Sequence, residues 1–406
     1  MARSSVPASA GQILQMIRSG QVSTRRELQE LTGLSRSTLT LRLSQLYTAG
    51  YLRSETQRAG TMGRPSGILA FDETGKFILA ADLGATHARM ALTDAAGNVI
   101  AETTRELHID DGPRSVLGVV QRTFREMVKK TAHDLGDVCG IGLGLPGPVD
   151  FETGRVRNPP MMPGWHDYPV QQSLADAFGV PVFVDNDANL MGLGEQRLTY
   201  PDVASLLFVK VGTGIGSGII LHGQPERGIA GGGGDIGHIR MRGPTERAPC
   251  ACGGSGCLAV YASGGALARR LTAEGIATRT ARDVVAHVEA GKSEAIAMVG
   301  MAGRLIGEVL ATAVALLNPS ALIIGGDVAE THEHFLNGVR TMLYERTVPR
   351  ATRDLLITTS ALGDRAGIEG ARFMVLEQVF SEQAVDDRLR RMTEAGVPVQ
   401  AGPSPE

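Results

Sequence analysis

The feature that most constrains this chain is a cysteine cluster that follows a histidine. Cys250, Cys252 and Cys257 lie in the run Cys-Ala-Cys-Gly-Gly-Ser-Gly-Cys, and His238 precedes them by twelve residues. Three thiolates and one imidazole complete the tetrahedral shell of a structural zinc ion and leave no open position. Small residues between the thiols let such a loop wrap around one ion. The sequence predicts one zinc ion per chain on these four ligands; the alternative, chance proximity of thiols, is disfavoured because Cys139 is the only other cysteine.

Charge is distributed unevenly along the 406 residues. Residues 1–70 contain nine arginines and three glutamates, a net charge of about +6, whereas the whole chain carries −3. This asymmetry predicts a nucleic-acid-binding end on an acidic body. The N-terminus has no apolar signal core, and no run approaches the roughly 18 apolar residues of a membrane span. We therefore expect a cytoplasmic protein, associated with the nucleoid when bound to DNA, and no membrane partner.

The first 72 residues have the pattern of a small DNA-binding domain. Apolar spacing predicts helices over residues 11–19 and 24–31, and a third helix that begins at Ser35. Two extended segments follow, near residues 50–52 and 67–71. Three short helices with a turn before the third, and then a hairpin, are typical of a winged helix-turn-helix.

The third helix of this domain is the candidate for entering a DNA major groove. Arg36, Ser37 and Thr40 lie opposite its leucines and could reach base edges or phosphates. Arg42 would contact phosphate, and Arg64 in a Gly-Arg-Pro segment could enter a narrow minor groove. The alternatives are a solvated helix face in a protein-binding module and an ordinary loop. We expect a double-stranded DNA operator as the partner.

From residue 77 the pattern changes to alternating strands and helices, which predicts an α/β body. Three glycine-rich turns follow apolar strands, and their free backbone N–H groups could cradle phosphate oxygens. Each turn alone is more often a simple hairpin, but together they predict a nucleotide cleft, and the repeated hairpin design is weak support for a duplicated fold. The turn residues are Gly84 and Thr86, then Gly212, Thr213, Gly214 and Gly216, and finally residues 325–327.

Two polar residues follow another apolar strand, predicted over residues 180–184. Asn186 and Asp187 should lie at its carboxyl end, where a carboxylate could accept a proton from a substrate hydroxyl. The alternative is that they cap the next helix.

Together these motifs resemble the ROK family of repressors and sugar kinases, within the actin/hexokinase-like (ribonuclease H-like) superfamily. The resemblance covers nearly the whole chain. It implies a winged helix-turn-helix followed by a two-lobed body that closes on a sugar, with a structural zinc loop. It also implies Asp187 as the catalytic base of a kinase, and these effector contacts: Asn186, Asp187, Asp235 and His238.

The same resemblance places the boundaries. We expect the DNA-binding domain at 1–72, a small lobe at 73–190 completed by a C-terminal helix at 366–381, and a large lobe at 191–365 with the zinc loop and the oligomer interface. Residues 395–406 are predicted to be a disordered tail. A homodimer or homotetramer would present two third helices to half-sites about one DNA turn apart.

Departures from the kinase pattern of the family favour a sensor. Ala85 and His87 replace a glycine and the lysine of the first phosphate turn, Asp235 is shorter than the usual glutamate, and Ala259 replaces the glutamate after the last cysteine. A lost hydrogen bond to a charged group costs roughly 1.5–3 kcal/mol. We therefore predict a non-enzymatic, sugar-responsive repressor of carbohydrate uptake or metabolism genes. The alternatives are a sugar kinase with a DNA-binding extension and a DNA-binding scaffold without a ligand.

The identity of the effector is left open by the sequence. The small Ala259 would suit an amino sugar, another N-substituted sugar or an oligosaccharide. The single tryptophan, Trp165, could stack on a pyranose or anchor the core.

Overall fold

The computed structural model describes residues 8–55, 68–131, 133–242 and 247–398. Its helices are α1 (Ala10–Arg18), α2 (Arg25–Thr32), α3 (Arg36–Thr48), α4 (Pro113–Lys130), α5 (Val170–Phe178), α6 (Asp187–Leu198), α7 (Leu258–Ala262), α8 (Gly264–Ala273), α9 (Ala281–Glu289), α10 (Ser293–Leu317), α11 (Glu333–Arg346), α12 (Pro349–Thr352), α13 (Ala366–Val379) and α14 (Glu382–Glu394). Its strands are β1 (Leu52–Glu55), β2 (Ile68–Phe71), β3 (Phe77–Leu83), β4 (His87–Asp94), β5 (Val99–Glu106), β6 (Val138–Leu145), β7 (Val149–Asp150), β8 (Arg155–Val156), β9 (Val182–Asn186), β10 (Ser205–Val211), β11 (Ile215–Leu221), β12 (Gln224–Pro225), β13 (Ala321–Gly325) and β14 (Leu356–Thr359).

The described chain divides into two compact units, and the first contains the N-terminal helices. The hydroxyls of Ser9, Thr24 and Ser35 cap α1, α2 and α3, because each accepts a hydrogen bond from a backbone N–H in the first turn. Gly33, with φ of 65°, ends α2 and makes the predicted turn before α3. Strands β1 and β2 then pair antiparallel. Three helices and a two-stranded hairpin therefore occur in the predicted order.

Residues near the C-terminus complete this first unit. Helix α14 packs beside α1, where the Gly11 N–H donates to Asp386 Oδ1 at 2.8 Å. The Phe380 ring lies edge-on to Tyr51 and Phe71, with ring centroids 5.9 and 4.9 Å apart. No helix was expected at residues 382–394 from the sequence.

The second unit is built on two five-stranded sheets with the same plan. The first has the order β5-β4-β3-β6-β9 and the second β12-β11-β10-β13-β14. In each, a meander supplies one half, with antiparallel β4–β5 and β10–β11 pairs, and the other half is parallel, through β3–β6–β9 and β10–β13–β14. The matching order confirms the duplicated α/β design that the two hairpins indicated.

Helix α13 packs in close contact with both β6 and α6. A Cβ at Gly142 of β6 would collide with the backbone of Ala371, and one at Gly194 of α6 would collide with the backbone of Ala366. Glycine at these positions therefore allows the C-terminal part of the body to approach the first sheet.

Helix α10 alone, among the described residues, is long and apolar enough by length and composition to span a membrane. Half of its most apolar window is buried inside the fold, where it packs against α11. Gly303 and Gly307 permit this packing, since a Cβ at either would clash with the backbone of Phe335 or Val339. These contacts are typical of a core helix.

Some predictions fall outside the described residues. Arg64 lies in the gap between residues 55 and 68. Most of the tail predicted at 395–406 lies beyond the last described residue, Pro398.

Candidate functional site

Helix α6 begins where β9 ends, and its first residues are the predicted hydroxyl contacts. Asn186 caps the helix: its Oδ1 accepts from the N–H groups of Ala188 and Asn189 at 2.9 and 3.3 Å, and its Nδ2 donates to Gly147 O at 3.1 Å. The capping alternative therefore describes the Asn186 side chain in this structure. Its contact with a sugar stays a prediction.

Asp187 is paired with a lysine that the sequence analysis did not single out. Lys210 Nζ, on β10, donates to Asp187 Oδ2 at 2.5 Å, while the Ala188 N–H donates to Oδ1 at 2.7 Å. Only 7 % of the Asp187 side chain and 22 % of the Lys210 side chain are exposed. A general base must reach a substrate proton with a free lone pair. In this structure both carboxylate oxygens of Asp187 already accept hydrogen bonds, one from the Lys210 ammonium and one from the Ala188 N–H.

A second carboxyl group, Asp82 near the end of β3, faces the same lysine. Its Oδ1 is buried and has no hydrogen-bond partner among the described residues. Burial raises the pKa of Asp82 to about 6; the charge of Lys210 opposes the shift and that of Asp187 adds to it. Gly144 of β6 makes room here, because a Cβ there would lie 3.3 Å from Asp82 Oδ1.

The first two glycine-rich turns use part of their own backbone hydrogen-bonding capacity. The Gly84 N–H donates to His87 O at 2.8 Å, and the Gly212 N–H donates to Gly214 O at 3.0 Å. The exposed residues in these turns are Thr86, Thr213 and Gly214. Contact of either turn with a phosphate stays a prediction.

A chain of ion pairs links β4 of the first sheet to the turn that follows β13. Arg89 Nη2 and Arg282 Nη2 lie 3.0 and 3.1 Å from Asp364 Oδ2, and Arg282 Nε lies 3.0 Å from Asp327 Oδ1. Burial, together with the charges of Lys210 and Arg282, lowers the pKa of the neighbouring His87. The imidazole therefore favours the neutral form, at a position where the resemblance implies a lysine in the family's kinases.

The predicted zinc ligands lie together. His238 Nδ1 is 3.5 Å from Cys250 Sγ, Cys252 Sγ is 3.7 Å from Cys257 Sγ, and the four ligand atoms lie within 4.8 Å of one another. Zinc bonds of about 2.0–2.3 Å in a tetrahedron place ligand atoms roughly 3.5–3.8 Å apart. The donor set and its spacing fit a zinc ion.

Three other predicted positions have distinct surroundings. Asp235 is exposed, just before His238, and Ala259 is partly buried against the core beside the second sheet. Trp165 is fully buried and its Nε1 donates to Ile109 O at 2.9 Å. Of its two interpretations, the core anchor is the one that the structure supports.

The predicted DNA contacts differ in exposure. Arg36, Ser37 and Thr40 are exposed on one side of α3. Arg42 is half-buried and lines a cavity of about 390 Å³ that also contacts α14; its Nη1 donates to Gln45 Oε1 at 3.4 Å. Arg42 is thus on a different side of α3 from the exposed group.

Comparisons with known proteins identify relatives of two kinds. A family model described as the ROK family matches residues 78–378. A glucokinase of Halalkalibacterium halodurans is 30 % identical over 319 residues, which cover 75 % of this chain and 96 % of that protein. A xylose repressor of Caldicellulosiruptor bescii is 28 % identical over 384 residues, which cover 91 % of this chain and 95 % of the repressor.

A solved structure extends this likeness to the fold. The crystal structure of a ROK family transcriptional regulator, described as a homologue of the E. coli MLC protein, is 25 % identical, with a TM-score of 0.80. It covers 94 % of this chain and 98 % of the regulator. The regulator and the repressor therefore match much of the N-terminal unit as well as the body, whereas the glucokinase match covers a smaller share of the chain.

Proposed function

The chain belongs to the ROK family, and we propose that it is a transcriptional repressor whose hold on a DNA operator is weakened by a sugar or sugar derivative. The target genes would serve carbohydrate uptake or metabolism. The observation that carries this proposal is the extent of the repressor match, 91 % of the chain against 75 % for the glucokinase. The added length corresponds to the basic N-terminal unit, which a kinase does not need.

In this proposal the first unit is a winged helix-turn-helix. Arg36, Ser37 and Thr40 are exposed on α3, as a helix that reads a major groove requires. Arg42 would act differently: its half-buried position beside α14 suits it to holding α3 in place. Arg64 stays a candidate minor-groove contact on sequence grounds alone.

The effector would bind beside the amino end of α6. Asp187, Asp235 and His238 supply the polar groups, and Asn186 sets the start of the helix that carries Asp187. His238 Nδ1 lies 3.5 Å from Cys250 Sγ, so Nε2 is the ring nitrogen that would contact a ligand. An ion-paired Asp187 suits acceptance of a hydroxyl hydrogen bond better than proton removal.

We assign a structural zinc ion to His238, Cys250, Cys252 and Cys257. A shell with three thiolates and one imidazole has no position for a substrate. The ion would fix His238 in the loop that also carries Asp235, and so hold the effector contacts in place. We propose a cytoplasmic homodimer or homotetramer, because a symmetric oligomer would present two α3 helices to half-sites about one DNA turn apart.

The test begins with DNA fragments that the purified protein selects from its own genome. Operator affinity is measured by fluorescence anisotropy while pentoses, hexoses, amino sugars and their phosphates are titrated. We expect one sugar class to weaken operator binding. Arg36→Ala should reduce operator affinity, whereas Asp187→Ala should keep it and lose the sugar response. If no sugar changes the affinity of a protein that does bind DNA, sugar induction is wrong.

A sugar kinase with a DNA-binding extension is the second candidate. The 30 % identity to a glucokinase and the placement of Asp187 at the start of α6 favour it. Ala85, His87 and the Lys210 ion pair oppose it. ATP-dependent phosphorylation of a sugar that disappears in Asp187→Ala would establish it, and the absence of turnover with a broad sugar panel would remove it.

A further inference from the structure

We propose that the Lys210 ammonium is a tethered cation that fills the acidic centre of the cleft and excludes a divalent metal ion and its nucleotide complex. This role goes beyond the repressor function, since it concerns the exclusion of a metal–nucleotide complex and not the binding of a sugar or DNA. It gives a physical reason why a body that resembles a kinase would sense a sugar without phosphorylating it.

Three carboxylates from separate elements act on this lysine. Asp82 comes from β3, Asp187 from the start of α6, and Asp327 from the turn after β13. Asp187 makes the direct contact, 2.5 Å from Lys210 Nζ to Oδ2. Burial by itself would lower the pKa of Lys210, but the three carboxylates together raise it above its usual value. The side chain is therefore an ammonium at neutral pH.

The two strand neighbours of Lys210 are both glycines. Its antiparallel partner on β11 is Gly216, and its parallel partner on β13 is Gly325. Gly216 places no side chain beside Lys210, whereas the space beside Gly325 is filled by the Phe208 ring, since a Cβ there would lie 2.4 Å from it. Both glycines belong to turns that the sequence analysis connected with phosphate binding. Lys210 thus lies on β10, between the two strands that carry these glycines.

The same carboxylates, without the lysine, would suit a hard divalent cation, which prefers several carboxylate and carbonyl oxygens. Asp82 Oδ1, buried and without a partner among the described residues, is an oxygen of this kind. An ammonium and a divalent ion cannot occupy one centre, since each repels the other and both need the Asp187 carboxylate. The ammonium, being covalently attached, is always present at the site.

A merely structural role for Lys210 predicts loss of stability on substitution and nothing else. The tethered-cation role predicts a gain of metal affinity. The two are separated by comparing Lys210→Met, which keeps most of the side-chain length without the charge, with Lys210→Arg, which keeps the charge. The probe is Mn²⁺, added to zinc-saturated full-length protein and measured by electron paramagnetic resonance.

We expect wild type and Lys210→Arg to bind Mn²⁺ weakly, and Lys210→Met to bind it at least tenfold more tightly. Asp82→Asn in the Lys210→Met background should remove the gain. Equal Mn²⁺ affinity in Lys210→Met and wild type would overturn the proposal. Tight binding of Mn²⁺-ATP by wild type would also overturn it, and this measurement does not depend on whether the variants fold. Operator binding is measured separately, so failure of the repressor function would leave these results unaffected.

Discussion

Burial of Asp82 in the folded protein favours the protonated form of its carboxyl group. Its pKa of about 6 in the folded protein lies above the ordinary value of 3.8, so the folded state binds this proton more tightly than the unfolded state does. Stability contributed by the proton is present at low pH and is lost as pH rises through 6.

We therefore expect Asp82→Asn to be more stable than wild type at pH 8. The advantage should shrink by about 1–2 kcal/mol between pH 8 and pH 5, since one pKa unit corresponds to about 1.4 kcal/mol. Urea unfolding at the two pH values measures the difference. Asp354→Asn, at an exposed position, is the control and should show no such change. A stability difference for Asp82→Asn that is the same at both pH values would contradict the assignment.

The cysteine cluster gives the second prediction. Cys252→Ser should lose zinc and lower the melting temperature, because structural zinc supplies on the order of 10 kcal/mol of binding free energy. Cys139→Ser is the matched control, since that thiol donates to Phe77 O at 3.2 Å and is not among the four ligands. Atomic absorption and thermal unfolding measure the two effects. Full zinc content in Cys252→Ser would show that the ligand set is wrong.

Residues were predictable from the sequence where their chemistry is local. The cysteines are separated by a few small residues, so their spacing alone places the sulfurs together. Lys210 was missed because its partners come from distant strands, and Asp187 precedes it by 23 residues. The available signal was a lysine in an otherwise apolar strand directly before a glycine turn. A buried charge of this kind requires a carboxylate partner.

Close contact between α1 and α14 gives a prediction at the level of elements. A Cβ at Gly11 would collide with the backbone of Glu382. Glycine to alanine in a helix normally stabilises by up to about 1 kcal/mol, but here overpacking should destabilise by about 1–3 kcal/mol. Gly136→Ala, at a position with open space, is the control. Limited proteolysis and operator affinity report on the N-terminal unit. Increased resistance of Gly11→Ala to protease would show that α14 does not pack there.

Elements were predictable where apolar spacing and a capping residue agree. The helices predicted at residues 11–19 and 24–31 are α1, Ala10–Arg18, and α2, Arg25–Thr32, which Ser9 and Thr24 cap. Helix α14 was missed since Val385 and Leu389 are its only fully buried apolar side chains, too few for a clear period.

At the scale of the whole molecule, two sheets with the same strand order place the glycine turns after β3 and β10 at equivalent positions. That plan could be anticipated from the repeated hairpins. The inclusion of the C-terminal residues in the first unit could not be anticipated, because the sequence does not indicate which surface α14 covers. The repressor function requires that the bound sugar change the affinity of α3 for DNA. Such coupling is reciprocal: each ligand changes the affinity for the other by the same factor.

The last prediction follows from that symmetry. If a sugar weakens operator binding by some factor, the operator must weaken sugar binding by the same factor, commonly 5- to 150-fold for coupled sites. Isothermal titration of the sugar into free protein and into protein saturated with operator measures how much the operator changes sugar affinity. Fluorescence anisotropy measures how much the sugar changes operator affinity. Arg36→Ala should bind the sugar with unchanged affinity in the absence of DNA, and operator at a concentration that saturates wild type should lower this affinity less, since the variant binds operator more weakly. Unequal ratios in wild type would mean that the sugar and the operator compete through a different process, such as a change of oligomeric state.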